Sequence, residues 1–331
     1  MSEPDAVDRA PHAQPFRHEA AFYSSAEEFV AIVAPFVARG VADGTPVLVE
    51  VQPSLEAVLT EALGGTEGWH RLGVWGADLT HRPFAALQRH HLRLSALQAE
   101  QPGAVRMVRE PPHPGTGSQW DGWVRYEAAV NDLFTPFDAW TLCPYDTRRT
   151  SAAVRRDVEC THPYVVDGDG ARTPSPQFTE PWAFIQQLAR REVDPLEATP
   201  PTASLGDPSA RAARRCIAAL GATSTLDPRD VEGLVLAVSE IVTNATDYGR
   251  HPIGLRAWIA PDRIVVAVSD AGPGPLEPWA GFLPRPRANG GGFGLWLARQ
   301  LCARTSMVSD PGAFTVRLVA GTPHPPTPLD L

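Results

Sequence analysis

Apolar and polar positions divide the chain into two differently patterned halves. From Phe16 to Val166, runs such as TPVLVEV, VRMVREP and AWTLCPYD are apolar with little alternation. Between them stand segments of helical spacing: SAEEFVAIVAPFVARGVADG, LEAVLTEALG, RPFAALQRHHLRLSALQAE, DGWVRYEAAVNDLF and SAAVRRDVEC. Strands buried on both faces lose the in-out alternation of an antiparallel sheet, and regular β/α succession feeds parallel strands through crossover helices. The pattern over 16–166 therefore predicts a doubly wound α/β domain with a mostly parallel sheet.

Residues 1–15 show no periodicity and read as a disordered arm. Over 167–204 the pattern is one of turns and prolines around a single amphipathic helix, WAFIQQLARREV, and predicts a linker. That helix reads as a packing element, with bridging or a homodimer contact as the alternative. From 205 to 320 the periodicity changes again. Helical SARAARRCIAALGA and VEGLVLAVSEIVTNATDYG precede the alternating strands GLRAWIA and DRIVVAVSD, a long loop, the helix LWLARQLCAR and the hairpin SMVSDPGAFTVRLV. Helices against an antiparallel-rich sheet make an α+β two-layer sandwich. The end, 321–331, is a proline-rich tail.

Composition removes several chemistries. All 29 Lys+Arg positions are arginine, so a Walker A lysine, a protein-kinase strand lysine or a Schiff base is impossible. A net charge of -9 argues against a nucleic-acid surface. Cys143, Cys160, Cys216 and Cys302 show neither CxxC pairing nor zinc-finger spacing, so no disulfide framework or structural metal is expected. With no leader-like start and no long apolar run, a soluble cytoplasmic protein away from membranes is expected.

In a doubly wound sheet ligands sit beyond the carboxyl ends of the strands. Polar residues gather there: Tyr23-Ser24-Ser25, Arg109-Glu110-Pro111 and Cys143-Pro144-Tyr145-Asp146. No GxxxxGK or GxGxxG follows the first strand, so the half reads as a sensor that does not consume nucleotide. Arg109, Glu110, Tyr145 and Asp146 are its candidate ligand residues; a structural ion-pair network is the competing reading of the charged ones. The run HEAAFYSSAEEFVAIVAPFVARGVADGTPVLVEVQP, with VREP, YEAAVNDLF, LCPYD and THPYVV, resembles the MEDS sensory domain, a derivative of the RecA/KaiC-like fold. That resemblance implies a role in sensing small organic molecules.

The second half carries candidate chemistry of its own. Glu240 and Asn244 are four apart and share one face of a helix among apolar neighbours including Leu236, Val238, Ile241 and Val242. A hydrated Mg²⁺ with phosphate oxygens is a partner that such a polar pair can find, since magnesium takes hard oxygen ligands. Asp270 closes a strand and is followed by Gly272 and Gly274, which suits an exocyclic amine and a close backbone approach, although Asp-x-Gly is also ordinary turn chemistry. Gly290-Gly291-Gly292-Phe293-Gly294 feeds a helix whose amino end offers unpaired N–H groups to a phosphate without any lysine. The intervening PLEPWAGFLPRPRANGGG, with Arg285 and Arg287, reads as a mobile lid.

These three boxes, in this order, resemble the Bergerat ATP-binding fold of gyrase, Hsp90, histidine kinases and anti-sigma serine kinases, and look most like the anti-sigma regulatory factor branch. The resemblance implies ATP and Mg²⁺ as cofactors, Asn244 on the metal and Glu240 orienting or deprotonating the attacking group. It further implies Asp270 on adenine and Gly272, Gly274, Gly292, Gly294 and Leu295 lining the nucleotide. It implies a serine/threonine protein kinase with an antagonist protein as substrate and a sigma factor as second partner. The alternatives are an ATP-gated binding switch without phosphoryl transfer and a degenerate sensor histidine kinase, though no phospho-acceptor histidine motif precedes the boxes.

Overall fold

The computed structural model describes residues 16–72, 82–111, 118–168, 170–284 and 292–324. The expected arm 1–15, most of the tail, Arg285, Arg287, Gly290 and Gly291 lie outside the described residues.

The first sheet has seven strands: β1 (Phe16–Tyr23), β2 (Val47–Glu50), β3 (Trp69–Arg71), β4 (Val105–Arg109), β5 (Ala139–Asp146), β6 (Tyr164–Val166) and β7 (Arg172–Pro174), in the order β3-β2-β4-β5-β1-β6-β7. Every pairing is parallel except β6 with β7. Helices cover both faces, as the unalternating strands require. Helices α1 (Ala26–Ala42) and α2 (Pro53–Leu63) pack on Ala21, Tyr23, Val47, Val49, Val108 and Leu142. The opposite face, with Ala20, Leu48, Met107, Cys143 and Tyr145, meets α3 (Pro83–Glu100), α4 (Ser118–Leu133) and α5 (Ala152–Thr161).

The second sheet is antiparallel: β8 (Ala203–Gly206), β9 (Gly254–Ala260), β10 (Arg263–Asp270), β11 (Arg304–Asp310) and β12 (Ala313–Gly321), in the order β11-β12-β10-β9-β8. One face carries α7 (Ala210–Gly221), α8 (Pro228–Tyr248) and α9 (Gly294–Leu301), with Ile217, Leu234, Val238, Ile241 and Val242 against Leu255, Val266, Val268, Val316 and Leu318. Leu236, expected on the apolar side of its helix, is 51% exposed. Proline at the first position and the Asp227 carboxylate, which accepts from Arg229 N, start α8 three residues before the expected Val231.

The segment expected as a linker does more than link. It gives β7 to the first sheet, β8 to the second, and α6 (Pro181–Arg191) between them. A single 3-10 turn, Pro195–Ala198, closes the outer face of the second sheet by setting Leu196 against Trp258, Val265, Ala267 and Val319. Asp194 takes Arg263 Nε at 2.8 Å, Glu197 takes Arg317 Nε at 3.0 Å, and Trp258 donates to Thr199 O at 3.0 Å. These partners lie far apart in sequence, so local pattern does not reveal them.

The two sheets are joined through a packed interface. Phe282, in the segment expected as a mobile lid, is fully buried in the core of the first half, edge-on to Phe84 of α3 at 5.3 Å. Trp279 donates its ring N–H to Asp132 of α4 at 2.8 Å and meets Trp182 of α6 edge-on. Arg299 of α9 lies 4.1 Å over the Phe282 ring. The first part of that segment is thus a wedge between the halves. None of the described helices is long and apolar enough to cross a membrane.

Truncating a fully buried phenylalanine typically costs about 3–5 kcal/mol. Phe282→Ala is expected to destabilise by that order and to split one calorimetric unfolding transition into two. Unchanged cooperativity would show that the wedge does not join the halves.

Candidate functional site

Helices α8 and α9 meet so closely that the amino end of α9 rests on the polar pair of α8. A Cβ built on Gly294 would stand 3.0 Å from Glu240 Oε2 and 3.1 Å from Asn244 Nδ2, so only glycine leaves both side chains undisturbed. Helices α7 and α8 carry Ser209 and Asp227 as side-chain caps, whereas α9 begins at Phe293 with no side-chain cap. Among the described residues no side chain caps its first N–H groups, which suits an external acceptor.

Asp270, at the end of β10, is buried. Its Oδ1 accepts from Gly272 N at 2.7 Å and Arg250 N at 3.1 Å, while Oδ2 takes no hydrogen bond among the described residues. Close backbone approach is what makes this possible: a Cβ on Gly272 would fall 2.6 Å from Asp270 Oδ1. Gly274 has φ +80 and lies under the Phe314 ring, where a side chain has no room. Gly292 has φ +88 and is exposed, and Leu295 is half-buried against Gly281. Glu240 and Asn244 thus meet the amino end of α9, while Asp270 and Gly272 meet the carboxyl end of α8 at Gly249. What these residues offer is carboxylate acceptors, a carboxamide and a helix amino end without a side-chain cap.

The four sensory candidates do not form one cluster. Successive strand residues point to opposite faces, so Arg109 and Glu110 part company, as do Tyr145 and Asp146. Glu110 accepts from Tyr23 OH at 3.2 Å and from Gln52 N at 2.7 Å, on the α1/α2 side. Asp146 on that side is held bidentately by Arg148, with Nε and Nη2 at 2.9 and 2.7 Å. Tyr23, Gln52, Asp146, Arg148 and Arg149 line a cavity of about 460 Å³ there. Arg109 and Tyr145 instead enter the α4 side, where Arg109 Nη2 donates to both Glu127 oxygens at 2.5 and 2.6 Å and lies 4.4 Å over Tyr126. Burial opposes charge on Glu127, yet the Arg109 guanidinium holds its carboxyl well below the usual range. Burial pushes the neighbouring Cys143 thiol up to about 12.

Glu127, His18 and His162 belong to this buried group and were not singled out from the sequence. YEAAVNDLF and THPYVV contain two of them, but nothing in either segment says that they meet. Arg299 was also missed; burial, then Arg125, lowers its pKa to about 9.

Two family models match the chain. Residues 17–163 match MEDS, the methanogen/methylotroph, DcmR sensory domain, and residues 204–320 match the histidine kinase-like ATPase domain. The chain joins a MEDS domain to a histidine kinase-like ATPase domain. No curated protein matches it. Among solved structures, the RsbU and RsbW domains of Rv1364c from Mycobacterium tuberculosis are 22% identical, covering 39% of this chain and 35% of that one, with a TM-score of 0.27. The histidine kinase domain of the E. coli osmosensor EnvZ is 19% identical, covering 40% of this chain and 96% of that one, with a TM-score of 0.24. This chain thus spans about a third of the mycobacterial chain. Likeness at this level says nothing of activity.

Within the MEDS domain, burial lifts the Glu110 carboxyl to about 7. Its folded pKa is above the ordinary 4.5, so ionising it opposes folding, and stability is lost as pH rises from about 4.5 through about 7. At full ionisation the penalty is about 3 kcal/mol. Glu110→Gln is expected to flatten the fall in melting temperature between pH 5 and 8; equal pH slopes in both proteins would contradict it.

Proposed function

We propose that the ATPase domain binds Mg-ATP between α8, β10 and the amino end of α9 and transfers the γ-phosphoryl group to a serine or threonine of an antagonist protein. The protein is in this reading an anti-sigma type kinase, with a sigma factor as its second partner and a small-molecule signal acting on the MEDS domain. The observation that carries it is the contact of Gly294 with both Glu240 and Asn244. That contact supports the reading because it brings a carboxylate, a carboxamide and a helix end without a side-chain cap together.

The residues suit that ligand without lysine. Asp270 Oδ2 is the acceptor for the adenine amine, and its Oδ1 stays tied to Gly272 and Arg250. Asn244 Oδ1 is a hard oxygen donor for Mg²⁺, which when bound supplies neutralisation of phosphate charge. Gly272, Gly274, Gly292, Gly294 and Leu295 line the nucleotide, and the N–H groups of α9 face its phosphates. Glu240, one helical turn from Asn244, takes the proton of the attacking hydroxyl or orients it.

A second reading, a nucleotide-gated binding switch without transfer, is favoured by one observation. Trp279 and Phe282 fix the base of the lid segment to the MEDS domain, so any movement driven there by nucleotide is felt across the interface.

Calorimetric titration with Mg-ATP should give binding that Asp270→Ala weakens at least tenfold, about 1.4 kcal/mol or more. Glu240→Ala should bind nucleotide within a few-fold of wild type but lose about 10²–10⁴ in transfer to an antagonist protein. Absence of Mg-ATP binding sinks the pocket, whereas binding with transfer unaffected by Glu240→Ala removes its role as base. Binding without any transfer leaves the switch.

A further inference from the structure

We propose that the MEDS domain holds a tetrahedral Zn²⁺ ion on His18, Glu127, Cys143 and His162. The four come from β1, α4, β5 and the residue after α5, and all are buried. Their candidate donor atoms lie within 4.8 Å of one another. His18 Nε2 is 3.3 Å from Glu127 Oε2 and 3.5 Å from Cys143 Sγ, and His162 Nε2 is 3.7 Å from Glu127 Oε2. Tetrahedral zinc with bonds of about 2.0 Å to nitrogen or oxygen and about 2.3 Å to sulfur separates its ligand atoms by roughly 3.3–3.6 Å. The group is already near that spacing.

The hydrogen bonds behind the imidazoles decide which atoms face inward. His162 Nδ1 meets the carbonyl of Val158 at 2.8 Å; a carbonyl only accepts, so Nδ1 carries the proton. His18 Nδ1 meets Asn131 Oδ1 at 3.2 Å, and the orientation of that amide is fixed because Nδ2 donates to Thr161 O at 2.8 Å and Glu127 O at 3.0 Å. His162 therefore turns the lone pair of Nε2 towards the Glu127 carboxylate, and His18 presents its Nε2 to the same carboxylate. Backbone carbonyls and carboxamides behind metal-bound histidines impose this same orientation.

At His162, without a cation, the arrangement sets acceptor against acceptor. His162 Nε2 is fully buried and makes no hydrogen bond, though it points at a carboxylate. Such a group costs free energy unless satisfied. Arg109 pairs with Glu127 and donates to Cys143 Sγ at 3.4 Å, but it does not reach His162 within hydrogen-bond distance among the described contacts. One divalent ion satisfies the His162 nitrogen and takes His18 Nε2 as a second imidazole ligand. One thiolate and one carboxylate balance its charge, and Arg109 remains as the outer donor to both. Binding breaks the Cys143 S–H bond, with the proton passing to solvent, and forms the Zn–S bond without change of oxidation state. Soft sulfur with two imidazoles selects zinc over magnesium or calcium.

The test uses the untagged full-length chain, stripped with chelator and reloaded with Zn²⁺ or Co²⁺. One Zn²⁺ per chain should survive gel filtration, and the Co²⁺ form should show intense visible bands of a tetrahedral ion with a thiolate charge-transfer band in the near ultraviolet. Cys143→Ser should abolish the charge-transfer band, and His162→Gln should weaken zinc binding at least a hundredfold, with folding of each variant checked by circular dichroism. If wild type binds no metal, or its Co²⁺ spectrum lacks the thiolate band, the proposal is overturned, whatever the variants do. Zinc retained unchanged in folded His162→Gln equally overturns the ligand set.

Discussion

The arrangement of the two domains depends on charges buried between them. Arg304 of β11 pairs with Asp121 of α4, and Arg125, one turn further along α4, pairs with Glu192 at the end of α6. All four side chains are buried. Removing an ion from water costs several kcal/mol unless a partner is in place, and removing one partner leaves the other uncompensated. Geometry here is therefore narrow. Pulling the domains apart rehydrates these ions but exposes Phe84, Trp279 and Phe282 to water, so charge fixes the register and apolar area supplies the adhesion. A cation set composed only of arginine suits this role, because guanidinium is weakly hydrated and presents planar donors that survive burial.

Helix α4 lies at the centre of that arrangement. Asp121, Arg125 and Asp132 fall on one face, each meeting the ATPase domain or α6, while Glu127 and Asn131 fall on the opposite face towards the sheet. The spacing of four between Glu127 and Asn131 sets the carboxylate one turn from the amide that orients His18. One helix thus connects the buried polar group of the MEDS domain to the surface that contacts its neighbour. A change in that group that shifts α4 must also shift two contacts with the ATPase domain and one with the end of α6.

Much of the fold was legible because its signals are local. Unalternating apolar runs between helices specify a parallel sheet covered on both sides, and β1 to β6 pair in that way; the alternation of GLRAWIA and DRIVVAVSD specifies antiparallel β9 and β10. The elements that carry Glu240, Asp270 and Gly294 were legible for the same reason, since each is a single helix or strand with its ends. What escaped depends on distant convergence or on strand parity. Arg109 and Glu110 are adjacent in sequence yet face opposite sides of the sheet, so a list of polar residues at strand ends joined two separate environments. His18, Glu127, Cys143 and His162 come from four segments, none with metal-binding spacing of its own. The proline-rich character of 192–199 concealed that Leu196 covers a sheet face.

The lid segment offers the sharpest contrast between composition and role. PLEPWAGFLPRPR has the prolines and glycine of an exposed loop, yet its two aromatic residues are anchors: Trp279 reaches Asp132 and Phe282 is fully buried. Gly281 between them has φ +79 and approaches Leu295 so closely that a Cβ would stand 2.5 Å from the Leu295 Cβ. The first turn of α9 is thereby fixed on one side by the wedge and on the other by Glu240 and Asn244. Further along the same helix, Arg299 lies against the rings of both Phe84 and Phe282. If nucleotide enters at Gly294 as proposed, any movement of α9 there is carried along the rigid helix to Arg299 and the aromatic rings that hold it. Its shortness makes this coupling strong, because eight residues, about two turns, leave little length over which a bend can be absorbed. Nucleotide at one end and the MEDS domain at the other would then act on a single lever.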